Sequence, residues 1–400
     1  MDTEKAKTAI LIIVLVIVVI AFTLQLNTLP SIRVQSDLFS RWYATRQLLE
    51  SGRNIYDVKN MEEAVDYKTI PTTPLETGFF YPAHLLVFLA PLAILPYPVA
   101  HFIWTLAGQL FFLIGLWIII REVHWPATLN KQTLIIFLAL FFIPFIQHTI
   151  WSQFDTLAVI GIAMVFRQIR REHYFAAGLW ASLITFKPQD GFLTLMFFLF
   201  WSSFALERRR FIAGFIIAAF GLWAFAQSFQ PGWVGDFLQA LASYRNLPYK
   251  PFTITSSMGI LGNIIGLIFI LITLYIFFYY RKEEINTAGF YFSIVMSLSA
   301  FWILLPVIGM MNLVLMPVGI VFMLAGAERL NQRIYRSASI LLLVTYVVGY
   351  AGFIIGLLTP NVEGDHIFLA ELVYRLFAPM LIVAIVLFAS ARQIFSRRFA

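Results

Sequence analysis

The stretch TAILIIVLVIVVIAFTLQLN, residues 8–27, contains twenty residues and no charged side chain. A helix of about 20 predominantly apolar residues is long enough to cross the hydrocarbon core of a bilayer. The run is longer than the apolar part of a cleaved signal peptide, and it lacks a small-residue cleavage site. We therefore expect it to be retained as a signal anchor.

Comparable apolar runs recur along the rest of the chain, at 98–120, 132–149, 154–167, 174–187, 190–206, 210–228, 258–280, 287–305, 310–327, 337–358 and 370–391. Together with residues 8–27 they predict an all-α polytopic membrane protein with about twelve transmembrane helices, the shorter runs being extended or tilted. The composition agrees, because 60% of the residues are hydrophobic and 12% are charged, whereas soluble proteins carry about 25% charged residues.

Basic residues cluster in the loops that follow every second apolar run, at 121–131, 167–173, 207–210, 281–284, 328–336 and 392–398. Cytoplasmic loops are enriched in Lys and Arg, so the pattern predicts a multi-pass protein of the cell membrane with both termini in the cytoplasm. The net charge of +7 comes from these clusters and does not indicate a nucleic-acid partner. The chain has no cysteine, which excludes disulfides, thiolate nucleophiles and Cys-based zinc sites.

The segment FFYPAHLLVFLAPLAILPYP, residues 79–98, is apolar, but counting it as a crossing would break the alternation of basic loops. It contains four prolines, so we expect a re-entrant or interfacial helix on the outer side. Residues 1–400 then form a single transmembrane domain without a separate soluble domain. Residues 28–97 are its first extracytoplasmic loop, which carries interfacial or re-entrant helices.

The first outer loop contains VQSDLFSRWYATRQLLESGRNIYD, residues 34–57. Ser36 is a preferred residue at a helix N-cap and Gly52 at a helix end, so a helix of about 15 residues is predicted between them. Its aromatic stripe predicts an amphipathic helix along the membrane surface. Asp37 lies in the first turn, with Arg41 one turn later. Asp37 is a candidate general base, although an acid in a first turn is also explained by the helix dipole alone.

Further polar residues gather at the predicted outer ends of the helices. The candidates for substrate binding are Arg41, His148, Gln153, Asp155, Lys187, Arg245 and Asn312. Arg and Lys suit a phosphate, whereas carboxylates and amides among aromatic residues suit a sugar. Alternatives remain open: Lys187 could extend to the interface or form a structural ion pair with Asp155, and helix packing could explain Asn312.

The order of these features resembles glycosyltransferase family 87, which includes polyprenyl-phosphate-mannose-dependent α-1,2-mannosyltransferases. Asp37 followed by Gly52 and Tyr56, the Tyr-Pro of residues 79–96, WSQFDTLAV and RREHYFAAGLWASLITFKP correspond to the family pattern. TITSSMGILGN is a looser match. The resemblance extends over roughly residues 10–330. Ser152 stands where the family has Gly, and Met310, Met311 and Asn312 stand where some members carry a His.

The resemblance implies a fold of the GT-C superfamily whose first outer loop carries the catalytic Asp, here Asp37. It also implies an inverting hexosyltransferase that uses a lipid-phosphate-linked sugar. We expect neither a cofactor nor a metal, because cationic side chains can stabilise a leaving phosphate. The partners would be a polyprenyl-phosphate sugar donor, a glycolipid, glycan or protein acceptor, and the lipid bilayer. Asp37 would take the proton of the acceptor hydroxyl while Lys187 meets the donor phosphate. The alternative is a lipid or polysaccharide transporter or flippase without transferase chemistry.

Overall fold

The computed structural model describes residues 3–68, 72–123, 129–244, 258–304, 309–358 and 368–398. The α-helices of the first half are α1 (Thr3–Thr28), α2 (Pro30–Gln35), α3 (Asp37–Ser51), α4 (Val58–Val65), α5 (Leu86–Ala93), α6 (Tyr97–Glu122), α7 (Leu129–Leu140), α8 (Ile143–Ile150), α9 (Thr156–Arg170), α10 (Tyr174–Ala181) and α11 (Pro188–Ser203). Those of the second half are α12 (Arg210–Phe229), α13 (Trp233–Tyr244), α14 (Gly259–Tyr279), α15 (Ala288–Leu304), α16 (Met316–Leu330), α17 (Gln332–Leu358), α18 (Phe368–Glu371) and α19 (Ala378–Arg398).

Short helices of other types complete the secondary structure. Among the described residues, four 3₁₀ helices cover Pro74–Thr77, Ala83–Leu85, Ser182–Phe186 and Met310–Leu315, and one π-helix covers Leu372–Phe377. No strand is present in the described residues. The fold is therefore all-helical over this part of the chain, as the apolar periodicity predicts.

Within the described residues, six helical segments are long and apolar enough to cross a membrane, or seven if the bent pair Gln132–Leu140 and Ile143–Ile150 forms one span. The chain is thus a polytopic membrane protein, but the predicted count of about twelve spans is not confirmed. Several predicted spans are shorter helices: α9, α11 and α15 have 15, 16 and 17 residues. At 1.5 Å per residue they extend about 22–26 Å, less than the ~30 Å hydrocarbon core.

The chain forms two compact units. Unit 1 contains residues 1–112, 149–154 and 221–248, and unit 2 contains residues 113–148, 155–220 and 249–400. The prediction of one transmembrane domain with a structured first outer loop is not tested by this division and stays a prediction.

In unit 1, α3 packs against α5 through an aromatic core. The Trp42 indole N–H donates to the Leu92 carbonyl at 3.0 Å, and the Phe39 ring lies 4.9 Å from that of Tyr97. Helix α3 ends at Gly52, whose backbone is left-handed with φ 72° and suits glycine. Ser36 occupies the N-cap position, but its hydroxyl does not cap the helix. It contacts the Arg33 carbonyl and the Tyr97 hydroxyl instead.

In unit 2, α15 is buried at every position from Ala288 to Ile303 and packs against α16. Helices α10 and α12 approach each other so closely that only glycine fits at two positions. A Cβ atom at Gly178 would lie 2.0 Å from the Phe211 carbonyl oxygen, and one at Gly214 would lie 2.1 Å from the Phe175 carbonyl oxygen. Small residues at helix interfaces of membrane proteins permit such backbone contact.

Candidate functional site

Asp37 is held at the start of α3 through its backbone and its side chain. Its amide N–H donates to the Trp151 carbonyl at 3.0 Å, which fixes the first turn of α3. Gln153 Nε2 donates a hydrogen bond to Asp37 Oδ2. The carboxylate nevertheless remains 24% exposed. A carboxylate that is held in place and remains accessible to a substrate can accept a proton from a bound hydroxyl group.

Tyr81 helps to position Asp37 indirectly, through its contact with Gln153. Its hydroxyl donates to Gln153 Oε1 at 3.3 Å, so the Gln153 amide is fixed with its nitrogen toward Asp37. The Tyr81 carbonyl accepts from the Tyr56 hydroxyl at 2.8 Å. A hydrogen-bonded path within unit 1 therefore runs from Tyr56 through Tyr81 and Gln153 to Asp37.

Two cations accompany Asp37. Arg41 Nη1 lies 3.6 Å from Asp37 Oδ1 and donates to the Asp37 carbonyl at 3.1 Å. The Arg41 side chain is only 6% exposed and its guanidinium stands over the Tyr81 ring. Lys68 Nζ donates to the carbonyls of Gln35 and Ser36 at 3.1 and 3.0 Å. Burial lowers the pKa of Lys68 to about 8, an effect that Asp37 opposes and Arg41 adds to.

The turn before Gln153 contains a residue, Ser152, in a left-handed backbone conformation. Ser152 has a positive φ of 49°, a conformation that glycine adopts without steric cost. Its hydroxyl pairs with Thr105 Oγ1 at 2.9 Å and His101 Nε2 at 3.2 Å. The backbone at this position therefore suits the Gly that the family pattern places there, and polar contacts hold the serine that replaces it.

A second cluster of polar residues lies in unit 2. Lys187 Nζ donates to both Asp155 carboxylate oxygens at 2.8 Å. Asn312 Nδ2 donates to Asp155 Oδ1 at 2.9 Å, and His148 Nδ1 lies 3.4 Å from Asp155 Oδ2. Lys187 is 4% exposed and Asp155 is fully buried. We call these four residues, together with Asp190, the Asp155 cluster.

Asp190 is the member of the Asp155 cluster that sequence reasoning missed. Its Oδ2 lies 3.7 Å from Lys187 Nζ, and both carboxyl oxygens are buried without a hydrogen-bond partner in the described part of the chain. The spacing of three residues from Lys187 at the start of α11 was the available signal.

The candidate residues thus divide between the two units. Asp37, Arg41 and Gln153 come together in unit 1, whereas His148, Asp155, Lys187 and Asn312 come together in unit 2. Arg245 lies outside the described residues. Lys68 joins the Asp37 group without having been singled out. Tyr81, the tyrosine of the Tyr-Pro motif, joins it without a role having been assigned to it, because only the fold brings residues 68 and 81 to the start of α3.

No group of three or more His, Cys, Asp or Glu side chains capable of holding a metal ion occurs among the residues with described positions. The groups at Asp37 can supply acid–base and electrostatic chemistry. One carboxylate can move a proton, and the neighbouring cations can meet negative charge.

Comparison with known proteins gives one match. The model of glycosyltransferase family 87 matches residues 79–397. The match contains the Asp155 cluster and Gln153, and it begins after α3, so Asp37, Arg41 and Lys68 precede it. No curated protein and no solved structure matches the chain significantly.

Proposed function

The chain belongs to glycosyltransferase family 87, and from this we propose that it moves mannose from a polyprenyl-phosphate donor to a glycolipid, glycan or protein acceptor. The reaction takes place at the extracytoplasmic face of the cell membrane, within a fold of the GT-C type. The chain is then a membrane glycosyltransferase whose α3 lies along the outer surface of the bilayer.

The single observation that carries the role of Asp37 is its geometry. Gln153 fixes one carboxylate oxygen while the side chain stays 24% exposed. A purely structural first-turn acid needs no such support, because the helix dipole alone stabilises it by ~0.3–1 kcal/mol.

In the proposed step, the acceptor hydroxyl donates a hydrogen bond to Asp37. The oxygen of the acceptor hydroxyl attacks the anomeric carbon of the donor sugar as Asp37 takes the hydroxyl proton. The bond from the anomeric carbon to the phosphate oxygen breaks, and polyprenyl phosphate leaves with the electron pair. A single displacement of this kind inverts the configuration at the anomeric carbon.

The leaving phosphate needs positive charge, and Arg41 and Lys68 are the cations next to Asp37. Lys187 was expected to have this role, but both Asp155 oxygens and Asp190 surround its ammonium group. The geometry therefore favours the structural alternative for Lys187, and we assign Asp155, His148 and Asn312 to the same supporting cluster.

The test is the Asp37→Asn variant of the full chain in lipid nanodiscs, with radiolabelled polyprenyl-phosphate mannose and a crude lipid extract. General-base catalysis contributes typically 10²–10⁴-fold, so turnover should fall at least ~100-fold. The folded state should survive, because the Asp37 contact with Trp151 is made by the backbone. Asp66→Asn, an exposed carboxylate of the same unit, is the matched control and should keep full turnover.

Wild-type turnover in the Asp37→Asn variant would remove Asp37 from the role. Donor that is retained but never converted by the wild-type protein would indicate a lipid-binding protein. Donor moved across vesicles without product would indicate a flippase.

A further inference from the structure

A groove of about 370 Å³ lies in unit 1, between the turn that follows α3, helix α4 and helix α13. Its volume is at the lower end of the roughly 300–1,000 Å³ typical of small-molecule sites. The polar residues that line it include Asn54, Asp57, Asp236, Gln239 and Ser243. The described lining does not include Asp37, Gln153 or Tyr81.

The wall of the groove is held in place by side chains that reach across the unit. Asn54 Nδ2 donates to Asp236 Oδ2 at 2.7 Å, and Asn54 Oδ1 accepts from the Tyr56 amide at 2.8 Å. Gln230, which is 6% exposed, donates to the same Asp236 oxygen at 3.4 Å and accepts from the Ile55 amide. The turn after α3 and the start of α13 are thereby fixed to each other.

The lining matches an uncharged sugar. Carboxylate and amide groups alternate with Tyr56 and Met61, and sugars present hydroxyl groups around apolar C–H faces. No Lys or Arg is among the described residues that line the groove, and the Asp57 and Asp236 carboxylates that do line it would repel a phosphate. Gln239 is exposed and makes no hydrogen bond with any described residue, which leaves its amide available to a ligand.

The groove is remote from the proposed base. Asp37 begins α3, whereas Asn54 follows the end of α3, and the 15 residues of that helix extend about 22 Å. A sugar in the groove is therefore several residues away from a hydroxyl at Asp37. Tyr56 belongs to the groove lining and also begins the hydrogen-bonded path to Asp37 through Tyr81 and Gln153.

We propose that this groove binds a remote, uncharged sugar residue of the acceptor, so that the acceptor is an oligosaccharide chain rather than a protein side chain or a single sugar. This inference rests on the proposed transferase function. It specifies the class of acceptor and adds a second subsite for it. Contacts in that subsite would supply binding energy away from the reacting bond.

The experiment measures binding, which does not depend on turnover. Fluorescently labelled manno-, gluco- and galacto-oligosaccharides of one to six residues are titrated into the purified full chain in nanodiscs. At least one series should bind about tenfold more tightly at six residues than at one. Gln239→Ala together with Asp57→Asn should remove that gain. Asn is as good an N-cap as Asp, so the Asp57 hydrogen bond to the Lys59 amide is preserved.

Leu238→Ala is the matched control for Gln239→Ala. Leu238 lies beside Gln239 on α13, is 59% exposed and is not among the described lining residues. This variant should keep the length dependence. Binding without length dependence in all three series, or unchanged length dependence in the double variant, would overturn the groove assignment. If length-dependent binding holds while no transfer is found in any assay, the groove stands and the transferase function fails.

Discussion

At the scale of single residues, the charge of Lys68 makes the proposed reaction sensitive to alkaline pH. Burial lowers the pKa of Lys68 to about 8, so the ammonium that would meet the donor phosphate is lost as the pH rises through that value. We expect kcat/KM for the donor to fall about tenfold per pH unit above pH 8. Lys68→Arg should move this alkaline limb above pH 9, because Arg stays protonated.

The contribution of Lys68 to stability has the opposite pH dependence. The folded-state pKa of Lys68 lies below its unfolded value of 10.5, so the unfolded chain binds more protons between the two values. The contribution of Lys68 to stability therefore rises with pH over the range in which activity falls. Lys59→Met, which removes an exposed lysine from α4, should leave the profile unchanged. An alkaline limb that persists at pH 8 in Lys68→Arg would contradict the role of Lys68.

At the scale of secondary-structure elements, the Asp155 cluster joins helix ends. Asp155 directly precedes α9, Lys187 directly precedes α11, and Asn312 lies in the 3₁₀ helix before α16. Removing one partner of a buried ion pair leaves an uncompensated charge and costs about 3–5 kcal/mol. The cluster therefore determines how the N-terminal ends of three helices meet within unit 2.

This arrangement predicts how substitutions of Lys187 and Asp155 combine. Lys187→Met should destabilise the protein by about 3–5 kcal/mol, because the buried Asp155 carboxylate loses its counter-charge. Adding Asp155→Asn should recover most of that loss, since the amide can still accept from Asn312. Thermal unfolding in detergent measures both variants. Lys187→Met with wild-type stability but without donor binding would instead identify Lys187 as the phosphate ligand.

At the scale of the whole molecule, the sequence predicted the helices better than the membrane crossings. Long apolar runs such as 98–120 and 210–228 correspond closely to α6 and α12, because hydrophobic length is a local property of the chain. The runs that became α9, α11 and α15 are helices of 15 to 17 residues, and α9 and α15 are buried along most of their length. A buried helix and a short membrane span have the same composition.

The candidate site was predictable to a similar extent. Helix α3 and Asp37 at its start follow from Ser36 and Gly52, since capping signals are local. The contact between Asp37 and Gln153 joins residues 116 positions apart, and no periodicity in one sequence reports such a pair. Lys68 was missed for the same reason. The Ser36 hydroxyl does not cap α3 but contacts the Tyr97 hydroxyl, 61 residues later, at 2.6 Å, and such a distant partner leaves no local signal.

The orientation in the membrane is the remaining property of the whole molecule, and the absence of cysteine makes it directly measurable. Each single-cysteine variant carries one thiol, so labelling by a membrane-impermeant maleimide reports one position. Asp66→Cys, at an exposed site 29 residues after Asp37, should label in intact cells because the first loop is proposed to be extracytoplasmic. Lys282→Cys, exposed in a basic loop, should label only after the membrane is permeabilised. The unsubstituted chain, which has no thiol, sets the background. The reverse pattern would place the first loop in the cytoplasm, where Asp37 could not act on an acceptor outside the cell, and the proposed side of the reaction would be wrong.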